Sequence, residues 1–184
     1  MSLTLIEEIK TKGSYDYEAK TKVETIEKNA KHEYIKEVCK YLKDTFKKHN
    51  VKYIIGEFSG GNDSGGFDSV YLANDKAEEI KIKEEDKGDF RFYAEEKNIY
   101  NFEHDKEKKI SVFYTTTDKH SNLLDRDYLQ ELLYHTDCLE EFGSFAGEFS
   151  VDGTVKFDVF NYKWTRDGTQ WTEISDKDFD EGQL

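Results

Sequence analysis

The sharpest hydrophobic pattern in the chain is helical and lies within residues 31–48. Apolar side chains recur there every three or four positions, which is the spacing of one buried helix face. They are Tyr34, Ile35, Val38, Cys39, Leu42 and Phe46. Weaker helical spacing predicts a helix over 17–30 and a short helix over 3–12 that ends at Gly13. Residues 1–50 therefore form a predicted N-terminal helical segment.

The first 30 residues of this segment contain few aliphatic side chains. These are Leu3, Leu5, Ile6, Ile9, Val23 and Ile26. Apolar burial stabilises by about 25 cal/mol per Å², and so few side chains do not offset the entropy lost when the helices become ordered. We expect an arm that packs only partly on the rest of the chain and joins two copies as a homodimer.

From residue 51 onward the pattern is that of β-strands. Runs rich in β-branched and aromatic residues predict six strands, at 51–58, 70–72, 80–82, 90–93, 99–102 and 109–116. One central helix follows at about 121–139. Asp152-Gly153 and Asp167-Gly168 are typical of hairpin turns, so strands at 145–151, 155–164 and 169–174 form a predicted C-terminal β-meander.

The order of these elements defines a fold class. Antiparallel strands bracketed by helices, without βαβ alternation, predict an α+β fold. The expected organisation is a helical N-terminal segment at 1–50 and an antiparallel sheet domain at 51–184.

The composition is that of a folded, highly charged protein. Of the 184 residues, 15% are aromatic, and this content argues against disorder. No apolar run approaches the ~20 residues of a membrane span, and no signal peptide opens the chain. The two cysteines, Cys39 and Cys138, lie far apart without a repeated spacing. We therefore expect two buried thiols in a cytoplasmic protein that does not contact membranes.

The charge is negative and becomes more so toward the C-terminus. The chain has 27 basic and 40 acidic residues, a net charge of -13, and residues 121–184 alone hold 15 acidic and 5 basic side chains. Nucleic-acid binding requires a basic stripe, but the N-terminal lysines alternate with glutamates as on a solvated helix. The charge disfavours direct nucleic-acid binding and favours a basic protein partner, such as a nuclease or another nucleic-acid-binding enzyme.

The leading hypothesis is a small, non-enzymatic protein-binding module that uses no cofactor. It would inhibit a basic nucleic-acid-handling enzyme by occupying a phosphate-binding channel. The alternative is that the charge serves only solubility. The candidate contacts are acidic side chains near and after the central helix: Asp125, Asp127, Glu131, Glu140, Glu141, Asp176, Asp178, Asp180 and Glu181.

The glycine-rich segment 59–66 supports a rival hypothesis. It has neither the Gly-Lys-Ser/Thr nor the Gly-x-Gly-x-x-Gly pattern of nucleotide-binding loops. Four acidic side chains could supply hard oxygen ligands for Mg²⁺ or Ca²⁺: Glu57, Asp63, Asp68 and Glu148. They would define a metal-dependent hydrolase or a ligand-binding domain, whereas a plain hairpin loop is the simpler interpretation.

The histidines show no metal-binding spacing. The chain contains no His-x-His or His-Glu-x-x-His pair. His135 precedes Cys138 by three residues on the predicted helix, without a third group to orient the pair for nucleophilic catalysis. We therefore expect a packed thiol beside a half-buried imidazole.

Two short patches resemble a known family. The segments Gly60-Gly61-Asn62-Asp63-Ser64-Gly65-Gly66 and 147–153 (Gly-Glu-Phe-Ser-Val-Asp-Gly) resemble an uncharacterised family of small bacterial domains with a Gly-Ser-Gly-Asp-Ser-Gly type loop and a later Gly-Glu-Phe strand. Asn62 departs from that pattern, and the resemblance implies no activity. The acidic, Tyr-rich, proline-less composition also resembles that of phage and mobile-element proteins such as anti-CRISPR inhibitors. This second resemblance implies an inhibitor in the host cytoplasm, and the first implies a bacterial protein of unknown function.

Overall fold

The computed structural model describes residues 2–13, 15–61, 64–104, 106–142 and 149–172. Helices and antiparallel sheets make up the structure, so the predicted α+β class is confirmed. In chain order the elements are β1 (Thr4–Lys10), α1 (Tyr17–Tyr41), α2 (Lys43–Lys48), β2 (Tyr53–Gly61), β3 (Ser64–Ala73), a 3-10 helix (Glu84–Phe90), β4 (Arg91–His104), β5 (Lys109–Asn122), α3 (Arg126–Tyr134), a 3-10 helix (Glu140–Phe142), β6 (Phe149–Asp158) and β7 (Lys163–Thr172).

The chain forms two compact units. Unit 1 comprises residues 1–49 and 82–136, and unit 2 comprises residues 50–81 and 137–184. Unit 1 contains a three-stranded sheet in the order β1-β5-β4, and unit 2 a four-stranded sheet in the order β3-β2-β6-β7. Residues 82–136 therefore group with the N-terminal helices, whereas the sequence analysis placed them with the rest of 51–184.

The N-terminus of unit 1 is a strand, so the predicted helix over 3–12 is wrong. β1 pairs antiparallel with β5, from Thr4 opposite Tyr114 to Lys10 opposite Lys109, with a bulge between Leu5 and Glu7. So short a segment fits a helical or an extended pattern almost equally well, and pairing with β5 decides the outcome. Ile9, which is 3% exposed, anchors β1 in the core.

The predicted helices over 17–30 and 31–48 are confirmed: α1 runs without a break from Tyr17 to Tyr41, and α2 follows from Lys43 to Lys48. The Asp16 carboxylate caps α1 by accepting hydrogen bonds from the backbone N–H groups of Ala19 and Lys12, at 3.2 and 2.7 Å. Ala19 and Val23 are buried against Ile110 and Val112 of β5. The first half of α1 therefore belongs to the core and is not the loosely packed arm expected from its sequence.

In unit 2 the two Asp-Gly pairs do not form turns. Gly153 lies opposite Gly168 in the middle of the β6–β7 ladder. A Cβ atom on Gly153 would lie 2.7 Å from the Gly168 Cα and 2.8 Å from the Phe58 Cζ, and it would clash with the Asp167 carbonyl oxygen. These glycines allow the strands to approach closely. Two strands with one turn thus replace most of the predicted three-stranded meander.

The turn between β6 and β7 lies at residues 159–162. The Asp158 carboxylate shapes it by accepting hydrogen bonds from the backbone N–H groups of Phe160 and Asn161, both at 2.9 Å. This side-chain mimicry of a backbone turn is a common use of aspartate. Tyr162 closes the turn with a φ of 56°.

Several other predicted boundaries shift. The glycine-rich segment extends a hairpin, because β2 continues to Gly61 and β3 begins at Ser64. The predicted strands 90–93 and 99–102 are parts of the single strand β4. The predicted strand 80–82 is absent, and an isolated bridge between Ala73 and Glu79 lies nearby. The central helix is confirmed but shorter than predicted, since β5 extends to Asn122 and α3 begins after it.

Two expectations from composition can be compared with the structure. Cys39 and Cys138 are buried thiols that form no disulfide, as predicted. None of the described helices has both the length and the apolar character that a membrane crossing requires.

Candidate functional site

Negative charge is concentrated in unit 2. Its residues include 18 acidic and 7 basic side chains, a net charge of -11, whereas unit 1 has 22 acidic and 20 basic side chains, a net charge of -2. The imbalance in residues 121–184 therefore arises mainly from residues 137–184. Unit 1 carries many charges, but they nearly cancel.

One face of the four-stranded sheet carries three carboxylates and, on β6, the exposed Lys156. Glu57 on β2 and Asp167 on β7 both lie opposite Thr154 of β6, one on each side. Asp152 lies two residues before Thr154 and therefore points to the same face. All three acidic side chains belong to exposed or partly exposed positions. We call this trio, Glu57, Asp152 and Asp167, the acidic face.

The opposite face of this sheet is apolar. Phe58, Val151, Val155 and Phe157 are each at most 3% exposed, which fixes the alternation that turns the acidic residues outward. Arg166 of β7 lies on the apolar side, where its guanidinium donates a hydrogen bond to the Cys138 carbonyl at 3.0 Å. The strand register thus holds the carboxylates of the acidic face on a fixed scaffold.

Of the four metal ligands proposed from the sequence, Glu57 and Asp68 lie among the described residues. Glu57 accepts a hydrogen bond from the Ser69 hydroxyl at 2.8 Å. Asp68 is an exposed residue of β3, at the register shift opposite the Glu57–Phe58 step. Asp63 and Glu148 lie outside the described residues. Glu57 is therefore best considered with the acidic face.

The predicted partner contacts are divided between the two units. Asp125 caps α3 by accepting a hydrogen bond from the Asp127 backbone N–H at 3.1 Å, and both belong to the nearly neutral unit 1. Glu131 forms an ion pair with Lys119 in unit 1, and Glu140 is exposed in unit 2. The remaining predicted contacts are outside the described part of the chain: the side chain of Glu141, and Asp176, Asp178, Asp180 and Glu181.

A second polar group lies in unit 1 and was not predicted. We call it the Lys119 cluster: Glu96 on β4, Lys119 on β5, and Glu131 and His135 at α3. The Lys119 Nζ lies 3.2 Å from Glu96 Oε2 and 2.9 Å from Glu131 Oε1. Burial alone would lower the pKa of Lys119, but the hydrogen bonds and charges of Glu131 and Glu96 outweigh it and raise the pKa. Lys119 is therefore a firmly held cation.

Two buried phenols border the Lys119 cluster. The Lys119 Nζ lies 5.8 Å from the ring centroids of both Tyr34 and Tyr128, and the Tyr34 ring is 6.0 Å from the His135 ring. Tyr34 is 1% exposed and Tyr128 is 8% exposed. Neither hydroxyl has a hydrogen-bond partner among the described residues. Burial, and then the Glu131 carboxylate, raise the pKa of Tyr128.

Sequence patterns contain little that could have located either site. Glu96 and Glu131 are separated by 34 intervening residues, and only the β4–β5 hairpin followed by α3 brings them together. Asp152 and Asp167 carried a misleading signal, because Asp-Gly is more typical of a turn than of a strand interior. The one usable clue was the pairing of His135 with Glu131 at helical spacing.

Comparisons with protein-family models, with curated proteins and with solved structures found no match to this chain.

Proposed function

We propose that the protein is a non-enzymatic, cytoplasmic binding module whose acidic unit 2 binds a basic protein. The observation that carries this proposal is the segregation of charge: unit 2 has a net charge of -11 and unit 1 of -2. A charge of one sign gathered on one part of a protein steers oppositely charged partners toward it and makes their association salt-dependent.

The acidic face supplies the ordered part of this surface. Glu57, Asp152 and Asp167 project from three adjacent strands, so their separations are set by the ladder. These fixed negative groups are complementary to the lysine and arginine side chains that line phosphate-binding channels. The partner class that fits is a nucleic-acid-handling enzyme such as a nuclease, which the module would inhibit by occupying its channel. The compositional resemblance to phage inhibitors points the same way.

The test compares two variants with equal changes in net charge. The first, Glu57→Gln with Asp152→Asn and Asp167→Asn, neutralises the acidic face. The control neutralises three exposed acids of unit 1: Glu24, Glu85 and Glu103. Both proteins are titrated with protamine, an arginine-rich probe, by isothermal calorimetry at low and at physiological salt.

We expect the acidic-face variant to bind protamine about tenfold more weakly than the wild type, since exposed ion pairs contribute about 0.2–1 kcal/mol each. The unit 1 control should bind protamine with an affinity within about twofold of the wild type, because long-range charge is screened by salt and has only a small effect. Equal weakening by the two variants would contradict the proposal, because total charge rather than its location would then govern binding. A protamine affinity of the wild type that is the same at low and at physiological salt would also contradict the proposal.

A further inference from the structure

The Lys119 cluster contains the donor set of a transition-metal site. One ligand atom each from Glu96, Glu131 and His135 lie within 4.8 Å of one another, so side-chain shifts of less than about 1 Å would let a single ion contact all three at about 2.0–2.2 Å. We propose that these three residues bind one divalent transition-metal ion, of the Zn²⁺, Mn²⁺ or Fe²⁺ class, in competition with the Lys119 ammonium. This site lies in unit 1 and does not depend on the proposed function of unit 2.

The hydrogen bonding of His135 leaves one ring nitrogen suited to a metal. Its Nδ1 lies 2.8 Å from the Glu131 carbonyl oxygen, and because a carbonyl only accepts, Nδ1 must carry the proton. In the neutral ring, Nε2 then carries a lone pair, and it lies 3.7 Å from Glu96 Oε1. Two acceptors that face each other at this distance favour a cation between them. Metal-binding histidines commonly donate their other N–H to a backbone carbonyl in this way.

Lys119 shows that a cation is stable at this position. Its ammonium bridges the carboxylates of Glu96 and Glu131, and its side chain retains 28% exposure. The long stem can therefore withdraw toward solvent when an ion enters. Two carboxylates and a neutral imidazole carry a charge of -2, which a divalent ion balances fully and the ammonium balances only in part.

The buried phenols are an independent indication of a ligand. A buried hydroxyl without a partner costs about 1–3 kcal/mol, and such groups are few in folded proteins. Both Tyr34 and Tyr128 leave a hydroxyl unpartnered among the described residues, beside the same cluster. A hydrated ion in the cluster would bring further polar groups next to the two rings. The imidazole nitrogen favours the transition metals over Mg²⁺ or Ca²⁺, which prefer oxygen ligands only.

A second group of similar composition, in which Lys48 bridges two carboxylates, differs in the bonding of its histidine and provides the control. His49, Asp86 and Asp89 also lie close together, but His49 Nε2 is 2.9 Å from Asp89 Oδ2. That distance is a hydrogen bond in which Nε2 donates, so this nitrogen carries a proton and has no lone pair for a metal.

The test measures Zn²⁺ and Co²⁺ binding to the wild type and three variants by isothermal calorimetry, with Co²⁺ visible absorption as a report on coordination. His135→Gln removes the nitrogen ligand, Lys119→Met removes the competing ammonium but keeps its apolar stem, and His49→Gln controls for adventitious surface binding. Thermal melts with and without Zn²⁺ accompany each titration, and Mg²⁺ is tested in parallel.

We expect the wild type to bind Zn²⁺. His135→Gln should bind Zn²⁺ at least about tenfold more weakly than the wild type, and Lys119→Met should bind it at least about tenfold more tightly. His49→Gln should bind like the wild type, and Mg²⁺ should leave the melting temperature unchanged. Destabilisation alone cannot produce the gain in Lys119→Met, so this variant separates a metal site from a structural ion pair.

Three results would overturn the proposal: no binding to the wild type, equal affinity in His135→Gln and the wild type, or no gain in Lys119→Met. If Lys119→Met does not fold, the comparison of wild type with His135→Gln decides alone. None of these results bears on protamine binding by unit 2, so the two proposals fail separately.

Discussion

A close approach of two strands gives the sharpest stability prediction. Gly153 and Gly168 face each other across the β6–β7 ladder. A Cβ atom on Gly153 would lie 2.7 Å from the Gly168 Cα, 2.8 Å from the Phe58 ring, and closer still to the Asp167 carbonyl oxygen. The Phe58 ring can turn aside, but the other two atoms belong to the neighbouring backbone. Gly153→Ala therefore requires β7 to move away from β6.

The size of this movement sets the expected cost. Ordinary contact begins at 3.4 Å, so the 2.7 Å contact alone requires the backbones to separate by about 0.7 Å, and the closer Asp167 carbonyl oxygen requires more. That displacement lengthens one or two ladder hydrogen bonds beyond a useful range, at about 0.5–1.5 kcal/mol each, and adds strain typical of an overpacked site. We expect Gly153→Ala to lower the free energy of unfolding by about 2–3 kcal/mol.

Urea denaturation followed by circular dichroism measures this loss. Gly88→Ala is the matched control, because a Cβ there meets nothing within 4 Å, and an open surface position should change stability by no more than about 0.5 kcal/mol. Similar midpoints for Gly153→Ala and Gly88→Ala would refute the close approach. The β6–β7 register, and with it the acidic face, would then be wrong.

Two further predictions address the N-terminus and the turn of unit 2. Ile9→Ala should lower the free energy of unfolding by about 2–5 kcal/mol in urea denaturation, because the Ile9 side chain is buried. Ile6 is 41% exposed, so Ile6→Ala should lower it by less than about 1 kcal/mol. Equally small losses for the two variants would indicate that the N-terminal segment does not pack in the core. Burial alone would raise the pKa of Asp158, but hydrogen bonds led by that from Lys52 outweigh it and lower the pKa. Its contribution to stability is thus present above the unfolded pKa, about 3.9, and is lost as the pH falls through the folded pKa. The difference in melting temperature between wild type and Asp158→Asn should shrink on acidification, and a constant difference from pH 7 downward would contradict this assignment.

Long periodic segments were predictable because local pattern and tertiary packing agree there. The spacing of Tyr34, Val38 and Leu42 marks the buried face of α1, and all three are at most 1% exposed. At β1 the outcome depends on β5, roughly 100 residues later, and seven residues do not encode that pairing. In β4 the charged stretch from Glu95 to Lys97 interrupts the apolar pattern, so the single strand was predicted as two short ones.

The candidate sites depended on register, which local patterns do not reveal. Asp152 and Asp167 share a face with Glu57 only because the glycine after each aspartate lies in mid-strand. In the same way, His135 lies close to Glu96 of β4 only because α3 follows the β4–β5 hairpin within unit 1. Residue types indicated an acidic binding module, whereas the positions of its carboxylates required the strand pairing.

Hydrogen exchange of the wild type with and without protamine tests the central claim most directly. Mass spectrometry reads the exchange of peptides from each strand. We expect slower exchange on binding in peptides that cover β2, β6 and β7, which carry the acidic face, and unchanged exchange in β4, β5 and α3. Protection confined to unit 1, or spread evenly over both units, would contradict a binding function for unit 2.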